Sequence, residues 1–166
     1  MGVKMKVGII SDSHDNIWNL DKAILELKEK VQHIIHCGDF CAPFVMKHLE
    51  KSGLPVHCVF GNTSDEFSTK KVADSTKNVK LYGNLAEFEL DDKKIVVNHY
   101  PYIAKALALT GKYDFVFFGH NHKQSVEKVN NTVVVNPGEI MGRFGTPTYA
   151  IVDLDSGDTE FFEVKQ

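Results

Sequence analysis

Seven side chains that can bind a metal ion stand at five comparable places in this chain: Asp12 and His14, Asp39, Asn62, His99, and His120 with His122. Each place closes a short apolar run, such as Val7-Gly8-Ile9-Ile10 before the first and Phe115-Val116-Phe117-Phe118 before the last. A carboxylate and an imidazole aimed at one point suit a divalent cation of intermediate hardness, such as manganese, iron, nickel or zinc. In extended chain, residues two apart face the same side, so Asp12 and His14 are expected to converge. Taken singly these positions are ordinary, because Asp and Asn at strand ends also make turns and helix caps. Their joint placement is what a turn-only account leaves unexplained.

The donor types narrow the chemistry. Two aspartates, one asparagine and four histidines are too many for one tetrahedral zinc and include no thiolate. They suit two ions roughly 3.5–4 Å apart. Asp39 is the natural bridge, since a short carboxylate on a glycine turn can offer one oxygen to each ion. Gly38, Gly61 and Gly119 stand directly before Asp39, Asn62 and His120. Glycine there lets the chain turn sharply and lets backbone approach a ligand closely.

The elements that must position these residues follow from periodicity. Apolar runs of four or five residues with no helical period read as strands buried on both faces. After the first run, Asp15-Asn16 can cap a helix whose apolar stripe is Ile17, Leu20, Ile24, Leu27 and Val31. Trp18 lies off that stripe. Pro43 suits the first turn of a second helix, reaching about residues 52–53. Thr63-Ser64-Asp65-Glu66 has the form of a capping box opening a third helix to about residue 77. Strand, helix, strand, helix, strand is the pattern of right-handed parallel crossovers.

The second half is richer in strand. Strands are expected at 80–82, 85–90 and 93–98, with Asp91-Asp92 as a hairpin turn. A helix from Pro101 is closed by Gly111. After the Phe115–Phe118 run, further strands are expected at about 123–129, 132–136, 148–154 and 158–164. The pattern is that of one α/β domain over residues 1–166, with mostly parallel strands first and mixed strands after. In open α/β sheets ligands bind at the C-terminal ends of strands, where all seven donors would gather.

Composition excludes several classes of function. With 43% hydrophobic and 25% charged residues the chain is ordinary globular material. A net charge of -3 and a pI near 6.2 provide no basic track for nucleic acid, which is not expected as a partner. No apolar run approaches the roughly 18 residues that span a bilayer, so no membrane partner is expected. The N-terminus has no signal-peptide core, and Lys6 stands where a myristoylation motif needs Ser or Thr. Cys37, Cys41 and Cys58 are odd in number and form no Cys-x-x-Cys, which points to free thiols in a reducing, cytoplasmic compartment. Composition carries no signal for oligomeric state.

The ordered series Asp12-x-His14, Gly38-Asp39, Gly61-Asn62, His99 and Gly119-His120-x-His122 resembles the calcineurin-like metallophosphoesterase superfamily. Within it the match is to the small YfcE-type phosphodiesterase branch, to which the retromer subunit Vps29 also belongs. The likeness runs from about Lys6 to Asp153, and the Asn136-Pro137-Gly138 turn fits the branch as well. It implies a four-layer α/β/β/α sandwich with mixed sheets and a dinuclear site. One ion would take Asp12, His14, Asp39 and His122, and the other Asp39, Asn62, His99 and His120. A bridging water or hydroxide would be the nucleophile on a phosphoester substrate, a diester rather than a monoester. The site would take two divalent ions, with manganese first in rank and nickel, iron, zinc or magnesium as the alternatives.

Two positions depart from the family pattern. Many members have His after Gly-Asn, where this chain has Thr63. The branch often shows His-Gly-His at the fourth motif, where this chain reads His99-Tyr100-Pro101. Both losses predict modest turnover or a substrate with a good leaving group. Thr63 and Arg143, the latter within Gly142-Arg143-Phe144-Gly145, are the candidate substrate contacts; the plain alternatives are a helix cap and a surface arginine. The rival class is a Vps29-like interaction scaffold in which surface patches, not the metal pocket, do the work.

Overall fold

The computed structural model describes residues 4–165. Strands β1 (Lys6–Ile10), β2 (His33–His36), β3 (Val56–Cys58) and β4 (Val79–Leu81) run parallel and in that order. The crossovers between them carry helices α1 (Ile17–Leu27), α2 (Val45–Glu50) and α3 (Glu66–Ala73). A second sheet is built from β5 (Leu85–Leu90), β6 (Lys93–Asn98), β7 (Phe115–Phe117), β8 (Gln124–Val129) and β9 (Thr132–Pro137), in the order β5-β6-β7-β9-β8. Helix α4 (Pro101–Leu109) covers its outer face. The chain then returns to the first sheet, where β10 (Thr148–Asp153) pairs antiparallel with β1 and β11 (Thr159–Glu163) pairs antiparallel with β10.

Three apolar cores make this a four-layer α/β/β/α sandwich with two mixed sheets. Side chains alternate across each strand, so neighbouring residues serve different cores. Ile9, Ile35, Val97, Phe117 and Val135 fill the space between the sheets, while Ile10 and Ile34 face α1 with Leu20, Ile24 and Leu27. On the far side Val96, Val116 and Val134 pack on Ala104 and Ala108 of α4. Small residues on α4 let it lie close to the sheet.

The helices differ from their sequence patterns at their ends. Asn16 caps α1 by accepting from the Asn19 N–H, as expected, but the helix stops at Leu27 and Val31 joins the core from the following loop. Helix α2 becomes regular only at Val45, because Phe44 offers no capping side chain and the first bonds, Val45 N–H to Ala42 and Met46 N–H to Pro43, span three residues. Helix α3 ends at Ala73, short of residue 77. There the hydroxyls of Ser75 and Thr76 bond back to the Val72 and Ala73 carbonyls and satisfy the last turn. Asp91 and Asp92 both adopt positive φ, the twist a two-residue hairpin turn needs. The three cysteines are free; Cys37 and Cys58 are buried and Cys41 is partly exposed. No described helix is long and apolar enough to cross a membrane.

Candidate metal centre

Five turns at the C-terminal ends of β1, β2, β3, β6 and β7 deliver the donors, and those after β1, β2 and β7 do so by left-handed backbone. Asp12, His14, Asp39, His120 and His122 have φ of 51°, 40°, 58°, 72° and 59°. Asp12 and His14 therefore do not converge by strand alternation; β1 ends at Ile10 and the chain bends through a conformation that non-glycine residues rarely adopt. Crossing backbone bonds hold the bend: Asp12 N–H to the Gly38 carbonyl, His14 N–H to the Asp39 carbonyl, and Met141 N–H to the Asp12 carbonyl.

The glycines serve close approach, though the neighbour is a donor side chain and not a ligand. A methyl group on Gly61 would overlap the Asp39 carboxylate, and one on Gly119 would overlap Ser11 Oγ and the Asp12 carboxylate. Gly38 combines a φ of +106° with a position where a Cβ would lie 2.8 Å from His99 Nδ1.

The donors fall into two groups that meet at Asp39. Asp12, His14 and His122 form one and Asp39, His99 and His120 the other, with the ligand atoms of each group within 4.8 Å of one another. Asp39 Oδ2 lies 3.5 Å from His14 Nε2 and 3.3 Å from His99 Nε2, so one oxygen faces both groups. Its Oδ1 accepts from the Asn62 N–H at 2.7 Å. Asn62 Oδ1 is 3.1 Å from His120 Nδ1, which is 3.3 Å from His99 Nε2. In the first group Asp12 Oδ1 is 3.3 Å from His122 Nε2 and 3.8 Å from His14 Nε2.

Hydrogen bonds behind the donors fix which nitrogen looks inward. His99 Nδ1–H donates to the Cys37 carbonyl at 2.8 Å, which leaves a lone pair on Nε2 facing Asp39. His122 Nδ1–H donates to Glu139 Oε2 at 2.6 Å and presents Nε2 toward Asp12 in the same way. This carboxylate–histidine pairing sets tautomer and basicity at metal sites. Asp12 Oδ1 and His14 Nε2 are buried without a hydrogen-bond partner. Leaving such atoms unpaired costs roughly 1–3 kcal/mol each, a cost that a cation between them removes. The residues present therefore fit a divalent ion.

The electrostatics agree. Burial pushes the Asp12 carboxyl up, but the neighbouring His14 ring and the Ser11 hydroxyl bond carry it below its ordinary value. Burial opposes ionisation of Asp39 too, and His99 with the Asn62 N–H overcomes it, holding Asp39 at about 2. His14 is raised, foremost by the Asp12 carboxylate beside it; burial pushes His99 down, but Asp39 outweighs it and raises the ring. Carboxylates that stay charged and imidazoles that prefer a proton mark a pocket of negative potential.

Some residues around the centre were not legible as such. Glu139, 2% exposed, follows the Asn136-Pro137-Gly138 turn, and that adjacency was the one available signal. Asn136 donates to the Gly119 carbonyl and to Asn121 Oδ1, tying that turn to the His120–His122 loop. Ser13 Oγ meets buried His36, whose other nitrogen accepts from the Gly38 N–H.

The two candidate substrate contacts fare differently. Thr63 is not the helix cap; Asp65 is, accepting from the Ser68 N–H. Thr63 Oγ1 instead meets Cys41 Sγ at 3.2 Å, and that sulfur lies 3.6 Å from His14 Nδ1. Arg143 is exposed, with its guanidinium 5.1 Å from the centre of the Phe144 ring. Tyr100, in place of the branch's glycine, sets its ring 5.2 Å from both His99 and His120. A cavity of about 690 Å³ beside Phe60, Phe67 and Tyr82 contains none of the seven donors.

Two facing sheets that converge on clustered histidines and carboxylates define the metallophosphoesterase class. The chain belongs to the calcineurin-like phosphoesterase superfamily, whose domain model matches residues 5–157. It is 34% identical to a phosphodiesterase of Methanocaldococcus jannaschii over 156 residues, covering 91% of this chain and 94% of that one. The solved structure of an archaeal phosphodiesterase superposes with a TM-score of 0.88 at 32% identity, covering 96% and 99% of the two chains. E. coli YfcE, a phosphoesterase, superposes at TM-score 0.66 with 14% identity and 97% and 100% coverage. Vps29 of Cryptosporidium parvum does so at 0.66 with 17% identity and 97% of both chains. These last two show the shared fold.

Proposed function

We infer that this chain is a metal-dependent phosphodiesterase whose seven donors hold two divalent ions. The observation that carries the reading is the pair of donor groups facing one another across Asp39 Oδ2, with Asp12 Oδ1 and His14 Nε2 buried and unpaired. One ion would be held by Asp12, His14, Asp39 and His122, the other by Asp39, Asn62, His99 and His120. Manganese, nickel, iron and zinc all suit this set of imidazole and carboxylate ligands, with manganese the first choice. Such a pair would supply Lewis acidity, lowering the pKa of a shared water toward ~7 and offsetting the charge of the phosphate ester.

The chain's own residues do the positioning. The left-handed turns at Asp12, His14 and Asp39 hold two carboxylates and an imidazole where they would face the ions. Cys37 and Glu139 keep His99 and His122 in the tautomer that presents Nε2 inward. Thr63 stands where relatives place a histidine, and a hydroxyl is a poor proton donor to a leaving group. A leaving group that departs without a proton, such as an acidic phenolate, suits this centre best. The kinship with a phosphodiesterase over nearly the whole chain supports a diester. An intact donor set also weighs against a scaffold role of the Vps29 kind, which needs no such set.

The test is to strip the protein with chelator, reload it with Mn or Ni, and offer bis(4-nitrophenyl) phosphate. Turnover that requires metal and is lost in Asp39→Asn is expected. Protein shown to hold two ions but no more active than that variant overturns the reading.

A further inference from the structure

A phosphodiester carries two organic arms, and both must leave the centre across its rim. The structure offers a path for one of them. A groove of about 420 Å³ opens beside the donors, lined by His120, His122, Lys123, Phe144, Gly145 and Thr146. His120 and His122 belong to the candidate centre and to this wall alike, so groove and centre are continuous.

Phe144 dominates the far wall. The residue is 70% exposed, and its ring stands edge-on to His122, with centres 5.0 Å apart and planes 88° from parallel. Single exposed apolar residues are common and by themselves signify nothing. This one is held in place: Glu139 Oε1 accepts from the Phe144 N–H at 2.6 Å and the Gly145 N–H at 2.9 Å, while Oε2 of the same carboxylate takes the His122 ring. One buried side chain thus anchors the candidate ligand His122 and the backbone that carries Phe144. The Arg143 guanidinium near the ring adds a positive charge at the rim. An exposed aromatic ring on anchored backbone, with Arg143 over it and Lys123 in the same groove, next to a site for a phosphodiester anion, suits a planar ring attached to that anion.

We propose that the groove between the His120–His122 loop and the Arg143–Thr146 loop is the subsite for one ester arm of the substrate, and that this arm carries a planar aromatic or heteroaromatic ring packed on Phe144. The proposal rests on the phosphodiesterase reading and deepens it. A volume of about 420 Å³ admits one ring-bearing group and not a long polymer segment.

Binding of single-arm analogues, each shown by phosphorus NMR to survive the titration intact, separates the subsite from the chemistry. The probes are methylphosphonate monoesters bearing a methyl, a phenyl or a thymidin-5′-yl arm, titrated by calorimetry into protein loaded with Mn and checked for metal content. Wild type is expected to favour the ring-bearing arms over methyl by roughly three- to tenfold, the range of one aromatic contact. Phe144→Ala and Phe144→Leu should erase that preference while leaving the methyl ester's affinity unchanged, and Phe144→Trp should keep it. Tighter binding of the thymidinyl than the phenyl ester assigns the ring to a nucleoside; equal binding assigns any aryl group. A preference that survives in Phe144→Ala, an equal loss for the methyl ester, or no binding by any probe overturns the subsite. Bis(4-nitrophenyl) phosphate turnover is measured alongside. Its absence in wild type sinks the phosphodiesterase reading, whereas its presence with an unchanged preference in Phe144→Ala sinks only the subsite.

Discussion

Replacing Glu139 probes how much of the centre depends on a residue that would touch no ion. Its carboxylate is an acceptor at three places: the His122 Nδ1–H on Oε2, and the Phe144 and Gly145 N–H groups on Oε1. A carboxylate suits all three because it donates nothing. In Glu139→Gln the amide must present its NH2 either to the His122 ring or to the backbone pair. In the first case His122 moves its proton to Nε2, and an N–H then faces Asp12 where a lone pair is needed. In the second, the Phe144 and Gly145 N–H groups lose their acceptor. Loss of a supporting partner of this kind lowers metal affinity roughly 10–100-fold, or about 1.4–2.7 kcal/mol. Glu139→Ala removes all three hydrogen bonds, at about 0.5–1.5 kcal/mol each, from fold stability. Glu139→Gln should therefore weaken metal binding at less expense to the fold than Glu139→Ala. Titration of metal-free protein with Mn, followed by calorimetry, should show one of two sites weakened, that of Asp12, His14 and His122, with the other unchanged. Two sites of wild-type affinity in Glu139→Gln refute the argument that this carboxylate sets the His122 tautomer.

Three further outcomes are expected. Gly119→Ala forces a methyl group against Ser11 and the Asp12 carboxylate; it should lower stability by about 1–3 kcal/mol and impair metal uptake, read by denaturant unfolding and metal analysis. In metal-free protein, burial takes His36 down to about 3, so the unfolded chain binds the proton first. The stability tied to that ring is complete above the ordinary imidazole value and declines below it at about 1.4 kcal/mol per pH unit, roughly 2 kcal/mol by pH 5. Unfolding midpoints at pH 7.5 and 5 should differ less in His36→Asn, and an identical pH dependence would count against the assignment. His14 and His99 hold their protons more tightly than free imidazole, so a cation must displace them. Manganese affinity, followed by paramagnetic resonance, should weaken as pH falls, beginning above the ordinary imidazole value, by about tenfold per pH unit for each proton displaced.

What the chain alone determined is the local pattern and the inventory. Apolar runs of strand length, each closed by a polar residue, specify buried parallel strands and put metal-capable side chains at their C-terminal ends. The amphipathic stripe of α1, the proline and glycine that bracket α4 and the Asp91-Asp92 turn are readable because each is decided by neighbours within a few residues. The donors could be named for the same reason. Helix ends were less legible, since Ser75 and Thr76 close α3 with side-chain bonds that periodicity does not encode.

Tertiary structure decided how the inventory becomes a site. Left-handed φ at Asp12, His14 and Asp39 is costly for such residues and persists only because strands from distant parts of the chain supply the bonds that hold it. The His120 N–H reaches Asp12 Oδ2 across 108 residues, and no local pattern predicts that bond. Which Asp39 oxygen faces both groups, which nitrogen of His99 and His122 looks inward, and why Glu139 matters all depend on atoms meeting across layers. Residue type sets what a side chain can bind; only the packing of the two sheets sets its direction, and metal chemistry depends on direction.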